Sequence, residues 1–120
     1  MTWTALGFVA LGGAIGSVAR ALVGAAVPAG SLPWATITVN VAGSLAIGWL
    51  MGRLVGGDAW VHAHSFWVVG ICGGFTTFSA FSWQTFEQLQ RGQWLLAAAN
   101  VIVSFVVCLA ATGLGWRLAR

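Results

Sequence analysis

Lysine and tyrosine are missing from this sequence, and the acidic side chains are reduced to two, Asp58 and Glu87. Five arginines complete the charged complement, so that 6% of the 120 residues carry a formal charge while 59% are apolar. Soluble domains average about 25% charged residues. A water-soluble fold of this length needs polar side chains over most of its outside, and this chain does not have them. The shortage of cations also excludes nucleic acid as a partner. The net charge is only +3, and no stretch has the density of basic residues that phosphate binding requires. Cysteine is scarce as well. Cys72 and Cys108 both lie in apolar runs, where free cysteine behaves as a small buried hydrophobe. Neither they nor His62 and His64 show the spacing of metal ligands. The histidine pair is expected in a solvated polar loop, away from any polar centre. With no plausible nucleophile–base pair either, the chain is not expected to be an enzyme.

What the sequence does contain is four long apolar runs. A bilayer core about 30 Å thick takes roughly 20 helical residues at 1.5 Å rise each. Residues 3–27 fit, interrupted only by Arg20, and Pro28-Ala-Gly-Ser-Leu-Pro33 supplies turn chemistry after them. Residues 34–54 make a second span, ending at Arg53 and a Gly56-Gly57-Asp58 turn; residues 64–87 a third, followed by Arg91-Gly92; and residues 94–116 a fourth. The first run has no basic residue ahead of it and is longer than a signal-peptide core, so it is read as a retained helix. Tryptophans 3, 34, 60, 94 and 116 fall at span ends, where an indole meets headgroups while its ring stays apolar. The spacing predicts an all-α membrane protein, one transmembrane domain over residues 1–120. Gly12 and Gly16, Gly48 and Gly52, and Gly70 and Gly74 repeat at four residues, which suits close helix packing in lipid.

The arginines give little orientation. Four spans put Arg53, Arg117 and Arg120 on one side and Arg20 and Arg91 on the other. Three against two is a weak bias under the positive-inside rule. The expectation is insertion both ways, with opposite copies pairing as an antiparallel dual-topology homodimer related to the inverted repeats of transporters.

Three features are not accounted for by packing alone. Asn40 lies about six residues into the second span, a depth at which an amide needs an interhelical hydrogen bond or a wet cavity. Asn100, Ser104 and Cys108 repeat every four residues along the fourth span as a mildly polar stripe. The third feature is the run Gly70-Ile-Cys-Gly-Gly-Phe-Thr-Thr-Phe-Ser-Ala-Phe-Ser82, a poor continuous helix. The third helix is therefore predicted to break near its middle, at Gly73-Gly74 and Thr76-Thr77. At membrane depth an unwound segment persists only where protein or a water-filled cavity satisfies it. Its freed carbonyls are hard ligands suited to a hard cation. Phe78 and Phe81 share one face if the chain is helical there. Their positive ring edges would favour an anion; an ordinary packing pair is the alternative.

Three motifs in order, Gly12-Gly13-Ala14-Ile15-Gly16 with Arg20, Thr36-Ile-Thr-Val-Asn40-Val-Ala-Gly43-Ser44, and Gly73-Gly74-Phe75-Thr76-Thr77-Phe78-Ser79-Ala80-Phe81, resemble those of the Fluc (CrcB-type) fluoride channels of microbes. The likeness extends over essentially the whole chain. It implies passive export of fluoride across the cell inner membrane, relieving fluoride toxicity, through two pathways along the interface of an antiparallel dimer. Phe78 and Phe81 would be the pore phenylalanines and Asn40 an amide that contacts the anion. Ser79, Ser104 and Asn100 would supply further donors, with Arg20 toward the pathway mouth. Carbonyls of Gly73 and Thr76 from both subunits would hold a structural sodium ion. Two positions depart from the pattern: Ala80 stands where threonine is common, and Asn100 where some relatives have tyrosine.

Two other classes compete. A small multidrug-type exporter of cations also has four helices and dual topology, but needs a carboxylate within the membrane, typically in the first helix, and this first helix has none. A non-transport membrane scaffold would leave Asn40 and the broken third helix without a purpose.

Overall fold

The structure is a computed structural model that describes residues 1–54 and 58–120. Most of the turn expected at Gly56-Gly57-Asp58 lies outside the described residues, and Asp58 itself opens a helix. Every regular element among the described residues is helical. They are α1 (Trp3–Ala26), α2 (Trp34–Arg53), α3 (Asp58–Ala63), a π-helical segment (His64–Cys72), α4 (Gly73–Phe75), α5 (Phe78–Gln90) and α6 (Trp94–Leu118). From α3 to α5 they form one bent crossing, so four helical units are long and apolar enough to span a membrane.

Local chemistry sets most of the ends. The Thr2 hydroxyl accepts from the Ala5 N–H at 3.1 Å and caps α1, satisfying one of the donors that a helix start leaves free. Pro28 forces the residue before it out of the helical region, and Val27 is extended at φ −87°, ψ 119°. Pro33 leads into α2. Gly92 takes φ +71° after α5, the left-handed conformation that ends many helices and that glycine adopts without a Cβ penalty.

The third crossing departs from the sequence reading in two ways. It begins at Asp58 rather than His64 and ends at Gln90 rather than Glu87. His62 and His64 are therefore helical residues and not part of a loop. The His62 ring stands 5.2 Å from that of Phe8 on α1, and His64 stands 5.0 Å from Trp60, four residues before it. Packing against aromatic rings holds both in the helix. The second departure concerns the break. Gly73 and Gly74 stay helical, and only Thr76 and Thr77 are extended.

Glycine contacts give the bundle its plan. Gly12 lies against the Phe66 carbonyl, and a Cβ on Gly70 would come within 2.9 Å of the Gly12 Cα; one turn on, a Cβ on Gly16 would meet the Phe75 nitrogen at 2.6 Å. Both sets of numbers rise together, so α1 and the third crossing run parallel. Gly48 against the Thr112 carbonyl and Gly52 against Ala119 make α2 and α6 a second parallel pair. Small residues allow this approach, and dispersion between backbones replaces the hydrophobic drive that lipid does not provide. The two pairs meet along a looser seam. Only 11% of the most apolar window of α1, and the same share of α6, is buried within the chain, leaving long apolar faces for lipid or another subunit.

Candidate functional site

The site forms where α2 meets the break. Thr76 and Thr77 leave the helix, so the Thr77 N–H no longer points to the Gly73 carbonyl four residues back. It donates to Asn40 Oδ1 at 2.7 Å, while Asn40 Nδ2 donates to the Thr77 carbonyl at 3.3 Å. One amide side chain thus replaces the lost partners of both the N–H and the carbonyl of Thr77. Such replacement is what permits irregular backbone at membrane depth. The Thr77 hydroxyl then caps α5, accepting from the Ala80 N–H at 3.1 Å, and lies 3.3 Å from Ser79 Oγ. Thr76 Oγ1 donates to the Cys72 carbonyl at 2.9 Å, and its methyl group packs on Gly43, where a Cβ would collide.

Around this junction the seam opens into a cavity of about 530 Å³, walled by Asn40, Gly43 and Ser44 of α2, Gly73, Thr76, Thr77, Phe78 and Phe81 of the broken crossing, and Ser104, Phe105 and Cys108 of α6. The Phe78 and Phe81 rings pair at 5.5 Å between centroids, tilted by 43°. Phe78 is 78% exposed in the single chain, so its ring projects from the seam instead of filling a core.

Behind the cavity runs a polar relay. Ser104 Oγ donates to Asn100 Oδ1 at 3.3 Å, Asn100 Nδ2 to Thr85 Oγ1 at 2.9 Å, and Thr85 Oγ1 to the Phe81 carbonyl at 2.8 Å. Asn100 is completely buried, and both ends of its amide are paired, as a buried polar group requires. The relay ties α6 to the first turns of α5 and so to the phenylalanine pair.

The structure therefore gathers Asn40, Phe78, Phe81, Ser104, Gly73 and Thr76 around one space. It places Asn100 behind that space and leaves Ser79 exposed beside Thr77, outside the cavity wall. Arg20 is elsewhere: it lines a smaller cavity of about 300 Å³ with Thr36, Val39, Thr77 and Ala80, and Thr77 is the wall common to both. Sequence reasoning placed Thr77 in the break but gave it no role in the site, and it did not single out Thr85. A threonine directly before a helix is a recognisable cap signal, whereas nothing in the spacing of Thr85 announces its partner on α6.

Comparison with known proteins adds an independent line. The family model described as "CrcB-like protein, Camphor Resistance (CrcB)" matches residues 7–116. A protein of Paramagnetospirillum magneticum named "Fluoride-specific ion channel FluC" is 51% identical over 114 residues, covering 89% of this chain and 88% of its own length. Proteins of the same name from Rhodospirillum rubrum and Nitrobacter winogradskyi are 46% identical over 116 residues and 45% identical over 124 residues, covering 90% and 100% of this chain and 88% and 98% of their own lengths. With four helices long and apolar enough to cross a membrane, this multi-pass membrane protein belongs to the CrcB family.

Proposed function

We propose that the chain is a passive fluoride channel of the cell inner membrane, working as an antiparallel dual-topology homodimer that exports fluoride and relieves its toxicity. The observation that carries this reading is the meeting of a broken helix, a paired phenylalanine face and a short set of neutral donors around one cavity in an otherwise apolar bundle. The relatives named as fluoride-specific channels support the choice of ion.

A small, strongly hydrated anion enters such a space only where donors already point at it and replace its water at little reorganisation. Asn40 Nδ2 has two hydrogens; one goes to the Thr77 carbonyl, and the other is assigned to the anion. The Ser104 hydroxyl rotates and exchanges its 3.3 Å bond to Asn100 for one to the ion. Phe78 and Phe81 present ring edges, the positive rim of the aromatic quadrupole. Ser79 provides a hydroxyl just outside the cavity wall, and Arg20 raises the local anion concentration from the adjacent cavity. No fixed charge lines the main cavity, so the ion is attracted without being trapped.

A structural sodium ion fits the same break. Because the Thr77 N–H is engaged by Asn40, the Gly73 carbonyl has lost its helical donor, and the extended backbone at Thr76 frees another oxygen. Backbone carbonyls are hard ligands for a hard cation. Gly73 and Thr76 of two subunits would hold it, and its charge would fasten the two breaks together.

Purified protein reconstituted alone into liposomes tests the function. Efflux of fluoride, followed with a fluoride electrode, is expected to be rapid and to need no proton gradient. Vesicles that retain fluoride as well as protein-free controls would overturn the proposal.

A further inference from the structure

A second groove follows the seam toward the end of the molecule that carries Arg53. Its walls include Ala42, Leu45, Ala46, Trp49, Trp67 and Leu118, it encloses about 440 Å³, and every side chain lining it is apolar or a thiol. From Ala42 to Leu50 the α2 wall rises about 12 Å at helical pitch, close to the ~15 Å depth of hydrocarbon in one leaflet. At the end of the groove the character changes abruptly. Arg53 places its guanidinium 5.8 Å from the centre of the Trp49 ring, itself a groove wall, and Arg120 lies 3.7 Å over Trp116. Arg117 adjoins Leu118, and Ala119 packs on Gly52, so the adjacent ends of α2 and α6 carry three exposed arginines at one end of the bundle. The one ion pair among the described side chains, Arg91 with Glu87, is at the other end of the bundle.

We propose that this groove seats one acyl chain of an anionic phospholipid whose phosphate is held by Arg53, Arg117 and Arg120. The apolar walls match hydrocarbon, and their length matches one leaflet. The guanidinium fork suits phosphate oxygens, which it binds through paired N–H donors. Stacking on Trp49 and Trp116 orients two of the three guanidinium groups at the depth where indoles meet headgroups. A second copy is the competing occupant. Seated in parallel it would set the same three arginines against each other with only Asp58 to offset them; seated antiparallel it would bring Arg20 and Arg91 with only Glu87 to offset them. Charge complementarity therefore selects the lipid. Two parallel helix pairs that touch along a loose seam would be held together by the chain that fills it.

Native mass spectrometry of the purified protein, after exchange into mixed phosphatidylglycerol and phosphatidylcholine, tests this directly. At least tenfold preferential retention of phosphatidylglycerol is expected, close to one molecule per chain. Arg53→Gln leaves two arginines on each side, so it does not bias insertion, and it is expected to reduce the preference to threefold or less. Ala46→Phe fills the groove and is expected to abolish retention of both lipids while size-exclusion behaviour is unchanged. Equal retention of the two lipids by the unmodified protein, or a preference indifferent to both substitutions, overturns the proposal. So does dissociation of a dimer by Ala46→Phe, which would make the groove a subunit contact.

Discussion

Asn40 is held by two bonds to the backbone of one residue, Thr77, and that geometry separates its two roles. Asn40→Asp keeps an oxygen to accept from the Thr77 N–H, but it sets a second oxygen against the Thr77 carbonyl where Nδ2 now donates at 3.3 Å. Asn40→Ala loses both bonds, leaving the N–H and the carbonyl of Thr77 unsatisfied at about 1–3 kcal/mol each. Both variants should therefore lower thermal stability, aspartate through a carboxylate set against a carbonyl. Fluoride passage separates them, because a carboxylate beside an anion adds several kcal/mol at the reduced dielectric of a buried site, on the order of 4 kcal/mol at 4 Å. The expected outcome is that Asn40→Asp conducts at least tenfold less in liposomes than Asn40→Ala, whatever the order of their thermal stabilities in detergent. If flux simply follows stability, Asn40 is a structural clasp and no more. Phe78 and Phe81 permit a similar separation. Isoleucine at either position keeps apolar bulk but removes the positive ring edge. Phe78 is largely exposed in the single chain, so Phe78→Ile should leave folding almost unchanged while reducing fluoride flux at least a hundredfold. Normal flux through both single variants would show the ring pair to be packing.

At the scale of helices, the glycines act through the space they leave, and this explains where sequence reasoning succeeded. The four-residue repeats of Gly12/Gly16, Gly48/Gly52 and Gly70/Gly74 were legible because close packing in lipid demands small residues on one face, and each of these pairs meets a neighbouring helix. The same glycines misled the reading of the break. Gly74 remains helical, and its missing Cβ gives room to the Gly13 carbonyl, which a side chain would approach to 2.5 Å; the residue serves helix contact and does not loosen the backbone. What opens the helix is the capture of the Thr77 N–H by Asn40, 37 positions earlier. A partnership at that separation has no local signature. The early start of the third crossing was hidden for a related reason, since polar His62 and His64 read as loop until Phe8 and Trp60 are placed beside them. The ends of α1 and α2 were readable because Pro28 and Pro33 act within one residue of themselves. If Gly48 sits where Thr112 requires its backbone, Gly48→Val should overpack the α2–α6 contact. A loss of about 1–3 kcal/mol is expected, read as earlier thermal aggregation in detergent. Gly113 has open space where a Cβ would go, and Gly113→Ala should be neutral or slightly stabilising in a helix. Equal behaviour of the two variants would remove the packing argument.

For the whole molecule, charge and exposed surface are what motivate the proposed antiparallel assembly. Arg53, Arg117 and Arg120 lie at one end of the bundle and Arg20 and Arg91 toward the other, so no strong preference of orientation is expected during insertion. A broken helix with a largely exposed Phe78 beside it would give each copy a surface on which to meet an inverted one. In that arrangement sodium would bridge like surfaces through Gly73 and Thr76. Replacing sodium by a large organic cation during purification should then shift the size-exclusion profile toward monomer; an unchanged profile would count against the ion. Topology offers the sharper test. Arg53→Gln with Arg117→Gln and Arg120→Gln leaves no arginine against two, while two lysines appended after Arg120 make five basic residues against two. Each variant alone should insert in a single orientation, and should give little fluoride flux because no inverted partner is present. Co-expression of the two should restore flux to near the unmodified level, since each now supplies the orientation that the other lacks. The readouts are accessibility of a C-terminal tag from each side of the membrane and fluoride efflux from the same vesicles. Full activity from either biased variant alone would mean that one orientation suffices, and the antiparallel dimer would have to be abandoned.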